Sequence, residues 1–141
     1  MSLLKQAFAL RSTFPESQVN VHGHALTWVG QLRPSELSAP YTVRITYTLR
    51  HYPQVRLLDP PITDEHEFVP HVYNTGDLCV HDDHDWSPRL LLIDSIVAWT
   101  IEWLLFWELF LATGRWFGDG PDMDSHPREP LEQLPASASD I

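Results

Sequence analysis

Three features of the chain predict an α+β fold. Residues 41–50 alternate strictly between apolar and polar side chains, residues 90–113 place large apolar side chains at steps of three and four, and residues 2–12 repeat that helical spacing at the opposite end. A period of two marks a strand with one buried face, and a period near 3.6 marks a helix with an apolar stripe. At 141 residues, 43% of them hydrophobic and six of them Trp, the chain has the size and the apolar content of one domain with its own core.

The elements follow in order. In 2–12, Leu3, Leu4, Ala7, Phe8 and Leu10 fall near helical spacing, with Ser2 as N-cap and Pro15 beyond the end. Segment 25–33 is apolar and β-rich around Trp28 and Val29. In 41–50 the alternation puts Tyr41, Val43, Ile45, Tyr47 and Leu49 on one face and Thr42, Arg44, Thr46, Thr48 and Arg50 on the other. Segment 54–58 reads as a third strand, stopped by Asp59-Pro60-Pro61 because proline cannot extend a ladder. Three strands with short connections predict an antiparallel meander; 67–69 is the candidate for a fourth. The closing helix spans 90–113, with Ile96, Trp99, Trp103, Trp107 and Phe110 on its broad apolar face and Gly114 as C-cap. Asp94, Glu102 and Glu108 interrupt it, and a central charge costs about 2.5–3.5 kcal/mol on insertion, so a packed helix is expected rather than a membrane span. Residues 119–141, rich in Asp, Pro, Ser and Glu, have little to bury and read as an acidic flexible tail after a domain at 1–118.

Charge is lopsided. Residues 1–58 carry six basic side chains against two acids, +4, and residues 59–141 carry three against seventeen, −14, for a net charge of −10. Bulk electrostatics therefore argue against nucleic acid, whose phosphates are held by Lys and Arg. One cysteine cannot form an intrachain disulfide, and the N-terminus lacks a basic, apolar, small-residue leader, so the reducing cytoplasm is expected. Lys5 is the only lysine, which suits an enzyme that passes an acyl group to an amine elsewhere.

That one cysteine, Cys79, closes the stretch Pro70-His71-Val72-Tyr73-Asn74-Thr75-Gly76-Asp77-Leu78-Cys79, and Trp86-Ser87-Pro88 follows seven residues later. A thiol after a tight loop is placed for attack, since Gly76 permits backbone angles that other residues resist and can turn N–H groups toward a reacting carbonyl. The thiolate is the nucleophile, and a free Cys near pKa 8.5 is only a few per cent ionised at neutral pH. His71 and His81 would raise that fraction; Asp77, Asp82, Asp83 and Asp85 would lower it. A weakly activated thiol suits transthiolation. Asp82, Asp83 or Asp85 could also orient an incoming amine, with Asp82 favoured for its closeness to Cys79.

The frame resembles the active-site segment of ubiquitin-conjugating enzymes, where a His-Pro-Asn turn precedes a loop with Gly three residues before the catalytic Cys and a Trp-Ser-Pro triplet lies beyond. Pro70, Gly76, Cys79, Trp86, Ser87 and Pro88 fill those places, and the element order matches that fold over roughly residues 1–118. Ala98-Trp99, Glu102-Trp103-Leu104, Glu108 and Thr113-Gly114-Arg115-Trp116-Phe117-Gly118 look like the bacterial members, similar to the stand-alone conjugating-like enzyme of CBASS anti-phage operons. The resemblance implies a thioester between Cys79 and the C-terminus of a partner, a CD-NTase-type cyclase making cyclic nucleotides, with a ubiquitin-like protein or an activating enzyme as further candidate partners and no cofactor. Two departures stand out. His71 takes the place of the motif Asn and Val69 that of the motif His, and the segment from Cys79 to Trp86 is one residue shorter than usual. That Asn supports the loop and the oxyanion, and a histidine keeps the donor with added pH dependence, so aminolysis is expected to be slower or replaced by thioester exchange.

Each residue has a plainer reading: Cys79 as a small buried hydrophobe, His71 as a loop residue, Trp86 as a packing side chain with Ser87-Pro88 opening the helical region. Two rival functions remain at this stage. One is a non-catalytic binding module of the same fold. The other is a metal-dependent hydrolase built on His81-Asp82-Asp83-His84-Asp85 with His66 and His71, a spacing that matches no strong zinc signature.

Overall fold

A computed structural model describes residues 1–63 and 69–118. Helix α1 runs Leu3–Thr13, strands β1 Gln18–His22, β2 Ala25–Leu32, β3 Tyr41–Thr48 and β4 Gln54–Asp59 follow, and helix α2 runs Ile96–Thr113. The four strands form one antiparallel sheet in the order β1-β2-β3-β4, so the fold is α+β with a meander between two helices. This is the predicted class and order, and the architecture is consistent with a ubiquitin-conjugating-like fold.

α1 starts where its cap dictates: Ser2 is extended, at φ −74° and ψ 155°, and its hydroxyl accepts the Lys5 N–H at 3.2 Å. Leu3, Gln6 and Leu10 form the buried stripe. Gln6 is the unusual member, wholly buried yet polar. Its amide nitrogen donates to the Leu90 carbonyl and its amide oxygen accepts from the Leu92 N–H, each at 2.8 Å. One side chain thus pins the first helix to the segment entering the last.

The fourth strand is β1 rather than 67–69, of which Glu67 and Phe68 lie outside the described residues while Val69 is irregular. Gln18-Val-Asn-Val-His is an exposed edge in which only Val19 is half-buried, so it carries too little apolar contrast to stand out as a strand. It pairs with β2 through the Gly23-His24 turn, where Gly23 takes φ 60°. The central pair buries one face without a gap: Leu26, Trp28, Gly30 and Leu32 on β2, and Tyr41, Val43, Ile45 and Tyr47 on β3. Leu49 lies just past the strand and is half-buried. A Cβ on Gly30 would sit 2.3 Å from the Trp28 ring, so the indole lies over the space that Gly30 leaves open. Its N–H donates to the Ser17 hydroxyl at 2.9 Å, which in turn donates to the Phe14 carbonyl at 2.6 Å, joining sheet to α1. β4 ends at Asp59, before the two prolines.

α2 begins at Ile96, six residues later than the spacing predicts. Residues 90–95 make turns instead: Gln6 takes the Leu90 carbonyl that the Asp94 N–H would bond in a helix, and that N–H goes to the Leu91 carbonyl at 3.1 Å. Gly114 caps the other end at φ 75°, its N–H on the Phe110 carbonyl at 2.7 Å. Ile96, Val97, Thr100, Trp103, Leu104 and Trp107 are buried; Trp99 and Phe110 are half-buried. Glu108 accepts from Ser38 at 3.0 Å and bonds the Tyr41 hydroxyl, which burial and then this carboxylate push up to about 12. Among the described residues α2 is long and apolar enough to cross a membrane, with mean hydropathy 1.5, but its buried stripe belongs to the core shared with α1 and the sheet.

Replacing Gln6 by Leu leaves the Leu90 carbonyl and the Leu92 N–H without their Gln6 partners and is expected to cost about 2–6 kcal/mol, at the 1–3 kcal/mol that each unsatisfied buried group typically costs. Urea denaturation measures it, and an unchanged midpoint would contradict the clamp.

Candidate active site

Pro70 to Cys79 form a miniature hairpin. Val72 bridges Leu78, the Tyr73 N–H donates to the Asp77 carbonyl at 2.8 Å, the Gly76 N–H closes the turn on the Tyr73 carbonyl at 2.9 Å, and the Cys79 N–H reaches the His71 carbonyl at 2.8 Å. The Leu78 N–H donates to the Val55 carbonyl at 2.8 Å, hanging the hairpin on β4. Its tip is fastened by Arg56 of β4: Nε and Nη2 each stand 3.2 Å from Asp77 Oδ1, and Nη2 also donates to the Thr75 carbonyl. The Thr75 hydroxyl donates to the other Asp77 oxygen at 3.0 Å. Gly76 is needed twice over: φ is 90°, and a Cβ there would stand 3.3 Å from Arg56 Nη2.

This closure corrects one expectation. The N–H groups of Tyr73, Gly76, Leu78 and Cys79 are all spent inside the hairpin or on β4, so none of these four faces a reacting carbonyl in this state. The freedom of Gly76 serves the turn instead.

His71 sits at φ 59°, a left-handed angle in which Asn, Asp and His are the enriched non-glycine residues, so a His in the place of an Asn meets no new backbone penalty. It is buried, its ring packs against Trp116 with centroids 5.0 Å apart, and its carbonyl accepts two donors, the Cys79 N–H and the Trp103 indole N–H at 3.1 Å. The support it gives the loop runs through that carbonyl.

Cys79 is 1% exposed. Its thiol points to the His81 carbonyl at 3.9 Å, and the Tyr73 hydroxyl hydrogen-bonds the sulfur. Burial pushes the thiol up to about 11; Tyr73 and a backbone bond at His81 pull it down, while Asp82 and Asp83 push it further up. Of the expected influences, His81 lowers the thiol through its backbone and Asp82 and Asp83 raise it, but desolvation, which counting charges leaves out, outweighs them all. The His81 ring is held elsewhere, its Nδ1 2.7 Å from the Asp82 carbonyl and its face between Tyr52 and Trp99, at 6.2 and 5.7 Å.

The acids separate into two groups. Asp82 is exposed and Asp83 half-buried, and both act on Cys79 and Tyr73 through their charge, so order in the chain did not distinguish them. Asp77 is engaged by Arg56. Asn74 is exposed at the turn and Pro70 half-buried at the hairpin's entry. Trp86 is a packing residue, buried edge-on against Tyr47 at 5.3 Å and near Tyr52 at 6.4 Å. Ser87 accepts the Arg89 N–H at 3.3 Å and opens a turn, with the helix following only at Ile96. Arg56 escaped sequence reading; the available signal was its outward place on a strand whose neighbours Val55 and Leu57 face in. Beside it, Arg44, Thr46, Gln54, Thr75 and Asp77 complete the lining of a polar cavity of about 290 Å³. Among the described residues no three His, Cys, Asp or Glu side chains converge to hold a metal; His66 lies outside them.

Two outcomes follow from this geometry. Gly76→Ala should lose roughly 1–2 kcal/mol, the cost of a left-handed angle for a residue with a Cβ, read by urea denaturation against wild type. The raised Cys79 value means that the folded state binds this proton more tightly than the unfolded chain does, whose thiol sits near 9. Stability from this group is thus full below pH 9 and declines as pH climbs toward 11. Urea midpoints at pH 8 and pH 10.5 should show a drop that Cys79→Ala reduces; equal drops in both proteins would contradict it.

The hairpin, its buried thiol and the sheet behind it can be set beside known proteins. No match was found among the curated proteins. Residues 6–123 match the family described as Type II CBASS E2 protein. CBASS is an anti-phage defence of bacteria, and membership implies a protein partner from the same operon. The chain belongs to the type II CBASS E2 family.

Proposed function

We propose that the protein is a ubiquitin-conjugating-like acyltransferase in which Cys79 carries the C-terminal acyl group of a partner protein as a thioester. The observation that carries this reading is the hairpin: the chain's one thiol is built into a loop clamped at its tip by Arg56 and at its base by the His71 carbonyl, in a family of E2 proteins. A buried structural cysteine needs no such clamp.

The step begins with an activated C-terminal acyl group on the donor, a thioester or an acyl adenylate. Cys79 sulfur bonds to its carbonyl carbon, the bond to the leaving group breaks, and the thiol proton passes to solvent or to that leaving group. A thiol held near 11 attacks only a pre-activated carbonyl placed against it, which protects it from incidental electrophiles. Asp82 and Asp83 act on the sulfur through their charge and suit the approach of an amine, whose positive charge they attract and whose proton one of them accepts. The partner we favour is a CD-NTase-type cyclase, whose activity the linkage would regulate, and the setting is the reducing cytoplasm, where a free thiol persists. An activating enzyme or a ubiquitin-like protein would supply the activation that this chain itself does not provide.

The burial of Cys79 favours one rival, a binding module of the same fold in which the cysteine only packs. Co-expression with the neighbouring operon genes, followed by intact-mass and non-reducing gel analysis of wild type, Cys79→Ala and Cys79→Ser, separates the two. The expected result is a reductant-labile adduct lost in Cys79→Ala and converted to a hydroxylamine-sensitive ester in Cys79→Ser, its mass naming the donor. Partner binding that persists with no adduct in any sample would establish the module.

A further inference from the structure

Tyr73 has a contact that its place in the sequence does not announce. The bridge between Val72 and Leu78 sets the hairpin's register, so Tyr73 lies opposite Asp77 and His71 opposite Cys79. Val72 and Leu78 face the core, Leu78 at 3% exposure. Tyr73 and Cys79 share the other face as a diagonal pair, a separation of about 7–8 Å between backbones that an aromatic side chain spans. The phenol of Tyr73 makes that reach: its hydroxyl hydrogen-bonds the Cys79 sulfur. Both backbone polar groups of Tyr73 are committed to the turn, on Asp77 and Gly76, leaving side-chain rotation as its remaining freedom. Cys79 itself is 1% exposed.

We propose that Tyr73 is a positioning residue that shields Cys79, its ring closing the sulfur off from solvent while its hydroxyl holds that ring in place by hydrogen-bonding the sulfur. This rests on the reading of Cys79 as the acyl acceptor. The two parts of the side chain act in opposite directions. The ring contributes to the desolvation that raises the thiol, the largest influence on it, and the hydroxyl is the largest influence lowering it. Shielding and activation are therefore separable by substitution. The other charged groups around the sulfur are Asp82 and Asp83, on the loop beyond it, and the Arg56–Asp77 pair at the hairpin tip. The titratable rings are His71, packed on Trp116, and His81, held by Tyr52 and Trp99; α2 brings the uncharged Trp99 and Trp103 to this loop.

The test is the pH–rate profile of Cys79 alkylation by iodoacetamide in the full chain, for wild type, Tyr73→Phe and Tyr73→Ala, with circular dichroism confirming the fold of each. Tyr73→Phe keeps the ring and loses the donor, so its midpoint should move above that of wild type and its rate at pH 8 should fall roughly 3- to 10-fold, the size of one lost hydrogen bond. Tyr73→Ala uncovers the sulfur, so its midpoint should move toward the free-thiol value of about 8.5 and its rate at pH 8 should rise at least about tenfold. A role in folding alone would move both variants the same way, and that result, or no shift in either, overturns the proposal. Should Tyr73→Ala fail to fold, Tyr73→Ser takes its place for the shield, a faster rate than Tyr73→Phe supporting it and an equal or slower one overturning it, while Tyr73→Phe tests the donor. Alkylation needs no partner. Opposite shifts without any thioester adduct would keep the shield and remove the acyl carrier, whereas an adduct without those shifts would do the reverse.

Discussion

The carbonyl of His71 is the joint on which the site depends. It accepts the Cys79 N–H from within the hairpin and the Trp103 indole N–H from α2, filling both of its lone pairs. Through it the backbone of Cys79 is tied to the helix that fills the core. Without it the hairpin would hang from β4 only by the Leu78 N–H and the Arg56 fork. The left-handed angle that aims this carbonyl is strained by about 1–3 kcal/mol for most side chains. That strain persists because Trp116 packs on the imidazole and two donors fix the oxygen. His71, introduced by sequence as oxyanion or loop support, supports the loop through its backbone carbonyl.

The same joint explains how far the chain could be read unaided. Where one side chain and its neighbours decide an outcome, the sequence was enough: the Ser2 cap, the Gly114 cap, the stop at Asp59 and the buried face of β3 all obey local rules. Elements settled by distant partners were not legible. β1 is an edge of polar residues whose identity comes from its partner β2, and the start of α2 is set by Gln6, more than eighty residues away. The site divides in the same way. Cys79, Gly76 and the surrounding motif could be picked out by type and spacing, but the sign of the thiol's shift could not. Counting charges near Cys79 leaves out desolvation, which only the packed structure reveals and which proves the largest influence.

A thiol wrapped this tightly is consistent with the proposed role, in which the acyl group would arrive already activated and the resting thiol would need no reactivity of its own. Small electrophiles meet a covered sulfur. Arg56 gives the hairpin a second anchor outside the core, so the tip can be disturbed without unpacking α2. From the acidic half, Asp82 and Asp83 act on the sulfur through their charge, while the basic half supplies α1 and most of the sheet.

The central claim is that folding itself holds Cys79 latent. The most direct measurement compares the rate of iodoacetamide alkylation of Cys79 in the native protein and in urea-unfolded chain at one neutral pH. A thiol raised from about 9 to about 11 predicts alkylation at least about 100-fold slower in the native state, since the rate follows the thiolate fraction. Equal rates in the two states would mean that the hairpin neither covers nor suppresses the thiol, and the account would fail.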